Sequence, residues 1–305
     1  MEKERQNLIR IIGTLVENRL REGVAKSGKS VGKSYISGDI IIKCVIDGKD
    51  ELFPIRLYAF DTTQAGQPNK LYASYKNLAN LINRRVSVTG YLSENRFWSA
   101  KTSVIAVEQR LNGRFISEAP ISETTDSATF EFSGYVATKL AAKTRKGETV
   151  PYIYELICGQ ENTKGTSASM FHFHVAPDRT DIIDSINRLY SIGATVKFSG
   201  DLRYVSQRIE KKDDKPAFGT PTARAYIVTN KYFYITTGDN PITGDTAYVM
   251  DEMKKFKASR VEADMDIQNR AKNAATAEDA SSDADTTAAD DIETKPAASQ
   301  MDNLI

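Results

Sequence analysis

Short runs in which apolar and polar residues alternate dominate the chain as far as Gly238. Ile55, Leu57 and Ala59 alternate with Arg56, Tyr58 and Phe60, and Phe171, Phe173 and Val175 alternate with His172 and His174. A period of two places each set on its own face of a strand. Between such runs the period changes twice. After Asn69, suited to an N-cap, Leu71, Tyr75, Leu78 and Ile82 recur at helical spacing. Ile182, Ile186 and Leu189 do the same after Thr180 and Asp181, with Gly193 placed as a C-cap. Each stretch predicts a short amphipathic helix.

These elements come twice in one order. Arg85 to Leu92 (RVSVTGYL) reappears as Thr195 to Leu202 (TVKFSGDL), aligning Gly90 with Gly200. Arg10 to Val16 pairs with Glu131 to Ala137 and aligns Gly13 with Gly134. Gly38 to Cys44 matches Tyr152 to Cys158, Phe53 to Phe60 matches Met170 to Val175, and Ser103 to Val107 matches Ala225 to Thr229. Each half reads strand, strand, strand, helix, strand, strand, with a glycine in the first strand that permits a sharp coil. That order predicts a mainly β chain of two OB-folds, five-stranded Greek-key barrels each with a short helix between strands 3 and 4. The first spans 5–118 and the second 126–238. Val249, Met253 and Phe256 predict a helical segment within 239–272. From 273 to 305 no aromatic residue remains, and the Ala, Asp, Ser and Thr composition predicts a disordered acidic tail with an apolar tip.

Charge changes the picture. Over 305 residues the net is +1, which on its face argues against a polyanion partner. Residues 273–305, however, hold eight acids against one base, a net of −7, so residues 1–272 carry +8. The charged N-terminus and the absence of long apolar runs argue against secretion and membrane spanning, leaving a cytoplasmic reading. Two cysteines, Cys44 and Cys158, form neither a metal cluster nor a disulfide framework. His172 and His174 form the one H-x-H pair, a metal site only if further ligands join them. No metal and no cofactor is expected.

An OB-fold binds oligomers across its second and third strands, flanked by the loops between strands 1 and 2 and strands 4 and 5. Those are the basic and aromatic places here. The first 1–2 loop, Arg19 to Ser34, offers Lys26, Lys29 and Lys33 among glycines and serines; its counterpart offers Lys143, Arg145 and Lys146. A solvated hairpin tip is the plain reading of either loop, and two at equivalent positions favour a phosphate backbone. Arg56, Tyr58, Phe60, His172 and His174 should face outward as stacking surfaces, extended by Tyr35, Tyr152 and Tyr154, although rings also fill barrel cores. The 4–5 loops add Arg96, Phe97 and Trp98 in the first half and Arg203, Tyr204 and Phe218 in the second. Phe97 and Trp98 are adjacent on an extended strand, so one of them should face solvent.

Gly23 to Ser30 fits G-x-x-x-x-G-K-S letter for letter. A phosphate-cradling loop would follow a buried strand and open a helix, and the flanking residues predict neither. A non-enzymatic protein is expected. The layout of tandem OB-like repeats, basic hairpins and an acidic tail ending Asp302-Asn303-Leu304-Ile305 resembles single-stranded DNA-binding proteins of the replication type, in a phage-type form. That resemblance implies sequence-independent protection of single-stranded DNA in replication or recombination. It also implies recruitment of replication or recombination proteins through the tip Asp302, Asn303, Leu304 and Ile305. The family's tail usually ends in several acids, proline and phenylalanine, which this tip lacks. A structural or assembly protein of two β-barrels with basic loops, from a virion or an RNA-binding particle, is the alternative. Monomer, dimer and tetramer stay open.

Overall fold

The computed structural model describes residues 5–26, 28–142, 151–212 and 223–282, with side chains described except at 29, 206–212, 223–229 and 274–282. The first half contains β1 (Asn7–Asn18), β2 (Arg21–Val24), β3 (Ser34–Ile46), β4 (Lys49–Phe60), α1 (Lys70–Lys76), β5 (Arg85–Ser99) and β6 (Val104–Glu118). The second contains β7 (Ser127–Ala141), β8 (Tyr154–Glu161), β9 (Ala168–Val175), α2 (Thr180–Leu189), β10 (Thr195–Lys212) and β11 (Ala223–Gly238), and α3 (Met250–Ser282) follows.

Strand pairing closes a ring in each half. β1 pairs antiparallel with β3 and β5, β3 pairs with β4, β4 runs parallel to β6, and β6 lies beside β5. β7 pairs with β8 and β10, β8 with β9, β9 runs parallel to β11, and β11 lies beside β10. Counting the five barrel strands of each half, both rings close in the order 1-2-3-5-4-1 of the OB-fold. β2 is an addition: part of the expected 1–2 loop forms a four-residue strand on β3, pairing Arg21 with Ser37 and Val24 with Ser34.

α1 begins as the sequence predicts, with Asn69 Oδ1 accepting the Leu71 N–H at 3.0 Å. It stops at Asn77, and a 3-10 turn carries Leu78 onward. Tyr75 is buried and donates its hydroxyl hydrogen to the Arg114 carbonyl at 2.9 Å, so α1 caps its barrel. In α2, Ile182 and Ile186 are buried. α3 runs to Ser282, further than the change of composition at 273 implied. Met253 and Phe256 meet Tyr135 and Tyr248, whereas Val249, expected in the same stripe, is 55% exposed.

The two rings join through β1 and β7, paired antiparallel from Asn7↔Phe132 to Ile12↔Ser127. Ile9 faces Phe130, its own counterpart when Gly13 is aligned with Gly134. A local twofold axis therefore passes between these two residues. Gly90 faces Ile9 and Gly200 faces Phe130, so the repeat extends to partners. The repeated glycines answer to crowding. A Cβ on Gly90 would lie 1.8 Å from the Asn112 carbonyl oxygen, and one on Gly200 would lie 1.8 Å from that of Tyr234. At Gly13 and Gly134 it would lie 2.4 Å from the Lys43 and Gly159 carbonyl oxygens. The coil of the first strand sits just beyond, at bulges between Leu15 and Glu17 and between Val136 and Thr138.

The chain divides into two compact units. The larger, Met1–Asn95, Val107–Tyr204 and Lys231–Arg260, holds both rings over one continuous apolar core. The smaller comprises Arg96–Ala106, Val205–Asn230 and the chain from Val261, and within it Arg96 lies 2.9 Å from Asp264.

Gly90→Ala and Gly200→Ala should each lower the free energy of unfolding in urea by about 2–3 kcal/mol, because the opposing atom is backbone and cannot swing away. A loss below about 0.5 kcal/mol in either variant would contradict the crowding.

Candidate nucleic-acid interface

On the outer face of the first ring, strand register assembles most of the residues named from alternation. Tyr35 pairs with Phe60, Ser37 with Tyr58, and Asp39 with Arg56, while the residues between them, Ile36, Ile55 and Leu57, are buried. Tyr58 stacks with Tyr35, with centroids 5.8 Å apart and planes 28° apart, and meets Phe60 edge-on at 5.2 Å. Tyr58 is 51% exposed. Arg56 Nη1 lies 3.6 Å from Asp39 Oδ1, so its charge is partly countered. Beside this cluster, a Cβ on Gly23 would come within 2.8 Å of the Tyr35 ring, so β2 crosses against that ring because it carries glycine there.

The 1–2 loop is a hairpin closed by Ala25 N–H to the Lys33 carbonyl at 2.9 Å and Gly32 N–H to the Ala25 carbonyl at 2.9 Å. Lys26 is exposed and Lys33 half-buried at its base. The segment Gly23–Ser30 passes from β2 into a single 3-10 turn, Gly28–Ser30, and then into β3. Among the described residues no α-helix opens there, so they do not assemble the backbone donors and dipole of a phosphate-cradling loop.

The second ring is arranged differently. Glu155 pairs with His174 and Ile157 with His172 on the outer face of β8 and β9. His172 Nδ1 lies 2.6 Å from Glu155 Oε1, and this hydrogen bond holds the Glu155 carboxyl below its ordinary range. His174, expected on the open side, is only 7% exposed. Tyr152 covers it at 4.5 Å and Tyr232 at 5.5 Å between centroids, and its Nδ1 accepts the Phe233 N–H at 3.3 Å. Burial pushes the imidazole down to about 4.

Tyr154 is a correction as well. It shares its strand face with the buried Leu156 and Cys158, packs against the core, and donates its hydroxyl hydrogen to Asn187 Oδ1 of α2 at 2.8 Å. Arg203 and Tyr204 are structural anchors. Arg203 pairs with Glu51 at 2.6 Å and Asp47 at 2.7 Å, and the buried Tyr204 packs on Phe53 at 5.1 Å. Arg96 pairs with Asp264, Phe97 is 37% exposed and Trp98 is half-buried. The Lys29 side chain, Lys143, Arg145, Lys146, Phe218 and the tip Asp302, Asn303, Leu304 and Ile305 lie outside the described residues.

Two aromatics escaped the sequence reading. Tyr232 and Tyr234 of β11 stack at 5.9 Å and 26°, and Tyr234 lies beside His174 across the parallel pairing. Their signal is the same alternation, which sets Tyr232 and Tyr234 on the face opposite Phe233 and Ile235, although Tyr232 is itself buried. Among the described residues no three His, Cys, Asp or Glu side chains converge as metal ligands. No helix among them is long and apolar enough to cross a membrane.

The closed His174 site makes stability depend on pH. Its folded value of about 4 lies below the ordinary 6.5, so the unfolded chain binds the extra proton between those values. Unfolding free energy should be fully retained above about pH 6.5 and should fall as the pH drops toward 4, by about 3 kcal/mol from this residue. Urea unfolding at pH 7 and 4.5 checks this, and His174→Asn should flatten that part of the profile; an equal slope in the variant would contradict it.

Two solved structures of the single-stranded DNA binding protein from Thermus aquaticus resemble the chain. The wild-type protein is 12% identical and aligns with 81% of this chain and 98% of that chain, with a TM-score of 0.48. A deletion mutant of it is 11% identical and aligns with 79% and 96%, with a TM-score of 0.47. No curated protein matches the sequence. The YorF family matches residues 6–273, nearly the whole length over which both barrels and α3 are built, and the chain belongs to the YorF family.

Proposed function

We propose that this protein binds single-stranded DNA without reading its sequence, and that the first barrel is the principal surface. The observation that carries this reading is the outward cluster of Tyr35, Tyr58 and Phe60 on β3 and β4, with Tyr58 half in solvent. Open rings on a barrel face give unpaired bases a platform, each base gaining about 1–3 kcal/mol by stacking. Arg56 and the lysines of the adjacent hairpin, Lys26, Lys29 and Lys33, supply positive charge for the backbone. On the second barrel the half-exposed His172 and Tyr152 offer a smaller surface. Duplex DNA keeps its bases stacked inside and cannot use the rings.

Within this reading the protein is a binder and not a catalyst, serving DNA replication or recombination in a phage-type setting. The acidic tail and its tip, Asp302 to Ile305, recruit partner enzymes, and DNA on the basic body leaves that tip available.

Fluorescence anisotropy with an oligo-dT should show binding that weakens steeply with salt and exceeds duplex binding. Tyr58→Ala should weaken it by roughly 5- to 150-fold with the fold intact by circular dichroism. Equal affinity for duplex, or no effect at Tyr58, would favour the assembly-protein reading. Deleting Asp302 to Ile305 should leave oligo-dT affinity within about twofold while removing capture of replication or recombination proteins; unchanged capture would overturn the role of the tip.

A further inference from the structure

The helix that caps each barrel is anchored alike but packed differently. After it the chain passes through the left-handed region at Asn83 (φ 63°) and at Gly193 (φ 88°). The N–H of each donates to the first strand of its barrel, to the Leu15 carbonyl at 2.7 Å and the Val136 carbonyl at 2.8 Å. Leu71, Tyr75 and Leu78 share their spacing with Ile182, Ile186 and Leu189, so Tyr75 corresponds to Ile186. Gly90 and Gly200 crowd the Asn112 and Tyr234 carbonyls, so two residues further on Arg114 corresponds to Thr236. In the first barrel the buried Tyr75 ring fills the space under the helix, and its hydroxyl donates to the Arg114 carbonyl at 2.9 Å. In the second, isoleucine supplies neither ring nor hydroxyl. Tyr190 does not replace them. Its hydroxyl donates to the Asp239 carbonyl at 2.8 Å, beyond Thr236, and fits there because Gly238 has no Cβ, which would lie 2.4 Å from that hydroxyl oxygen. Between α2 and β11 this leaves a groove of about 260 Å³, walled by Ile182, Ile186, Leu189, Tyr190 and Ile235, with Thr236 among its lining residues.

We infer that this groove is a binding site for a small free phenol. The ligand takes the place that Tyr75 holds in the first barrel. Its ring packs on the aliphatic walls, and its hydroxyl donates to the Thr236 carbonyl as the Tyr75 hydroxyl donates to that of Arg114. A carbonyl oxygen has two lone pairs, so a hydrogen bond within the sheet leaves one for the ligand. Apolar cavities of about 150 Å³ take up benzene, so the volume admits one ring with its hydroxyl. It falls short of the roughly 300 Å³ at which pockets for larger ligands begin. At the mouth, Arg179 Nε and Nη2 each lie 3.0 Å from an oxygen of Asp181. The charges there are matched, which favours a neutral ligand over an anion. None of the lining residues belongs to the outward cluster of Tyr35, Tyr58 and Phe60, so this site is independent of the DNA reading.

Titration of the full chain with para-cresol, followed by NMR with labelled isoleucine and leucine methyl groups, should show saturable binding with a dissociation constant of about 1 mM or below. Nuclear Overhauser contacts should run from the cresol ring to the methyls of Ile182, Ile186, Leu189 and Ile235. Para-methylanisole, which keeps the ring and lacks the donor hydrogen, should bind roughly 3- to 10-fold more weakly. Ile186→Tyr restores the arrangement of the first barrel and should abolish cresol binding while raising the unfolding midpoint. Saturating oligo-dT should leave cresol binding unchanged. Absence of saturation, equal affinity for the anisole, or displacement by oligo-dT would overturn the inference. So would tighter binding of N-acetyltyrosinamide than of cresol, which would assign the groove to a tyrosine side chain of a partner. The contacts to the four methyls in the unaltered chain decide the matter even where Ile186→Tyr fails to fold, and contacts elsewhere would refute the site.

Discussion

Strand β1 offers two edges to hydrogen bonding, and the way they are divided sets the architecture. Ile9 to Ile12 pair with both β5 and β7, which therefore occupy opposite edges. Thr14 pairs with both β5 and β3, so β3 must share the edge used by β7. The bulge after Leu15 lies within the part given to β3. In an isolated barrel the Asn7–Ile12 stretch of that edge would be open, and an open strand edge is a template for indiscriminate pairing. Here it is closed by the same stretch of the other repeat. The consequence is one sheet, one apolar core and a local twofold axis between Ile9 and Phe130.

Reciprocal contacts follow from that axis. The Glu51 carboxylate, 4% exposed, accepts the Tyr204 N–H at 2.7 Å, so β4 of the first barrel grips β10 of the second. The Glu94 carboxylate accepts the Met170 N–H at 3.1 Å, so β5 of the first barrel grips β9 of the second. Each carboxylate also binds an arginine, Arg203 at Glu51 and Arg260 at Glu94. Buried ion pairs contribute little net stability because desolvation offsets their attraction, but losing one partner strands a charge. Their effect is to fix one orientation of the barrels. Gln160 works similarly, donating to the Gln6 carbonyl at 2.8 Å and the Ser133 carbonyl at 2.7 Å.

Those contacts explain what was legible in the sequence and what was not. Periodicity within a strand depends on that strand and its own barrel, so the outward placement of Arg56, Tyr58 and Phe60, the two helices and the paired glycines could be read directly. Arg203 and Tyr204 look like loop residues until the second barrel is set against Glu51 and Phe53, which are far away in sequence. Tyr154 was misplaced by one step of alternation, since its neighbours Leu156 and Cys158 point inward. His174 does point outward, as alternation requires. What covers it is β11, and parallel pairing between distant strands leaves no local trace in the sequence.

The two halves thus hold equivalent positions with different chemistry. On the first barrel Tyr35 is braced from behind by β2, which leaves Tyr58 free to present its ring to solvent. On the second, Tyr152, Tyr232 and Tyr234 surround His174 and satisfy one another, while Glu155 places a carboxylate on the face and binds His172. A polyanion meeting the first face displaces water from rings already exposed. Meeting the second, it must separate packed aromatics before a base can stack. The twofold axis therefore relates the two scaffolds but not two equal faces: one holds open rings, and the other holds rings packed against a buried imidazole.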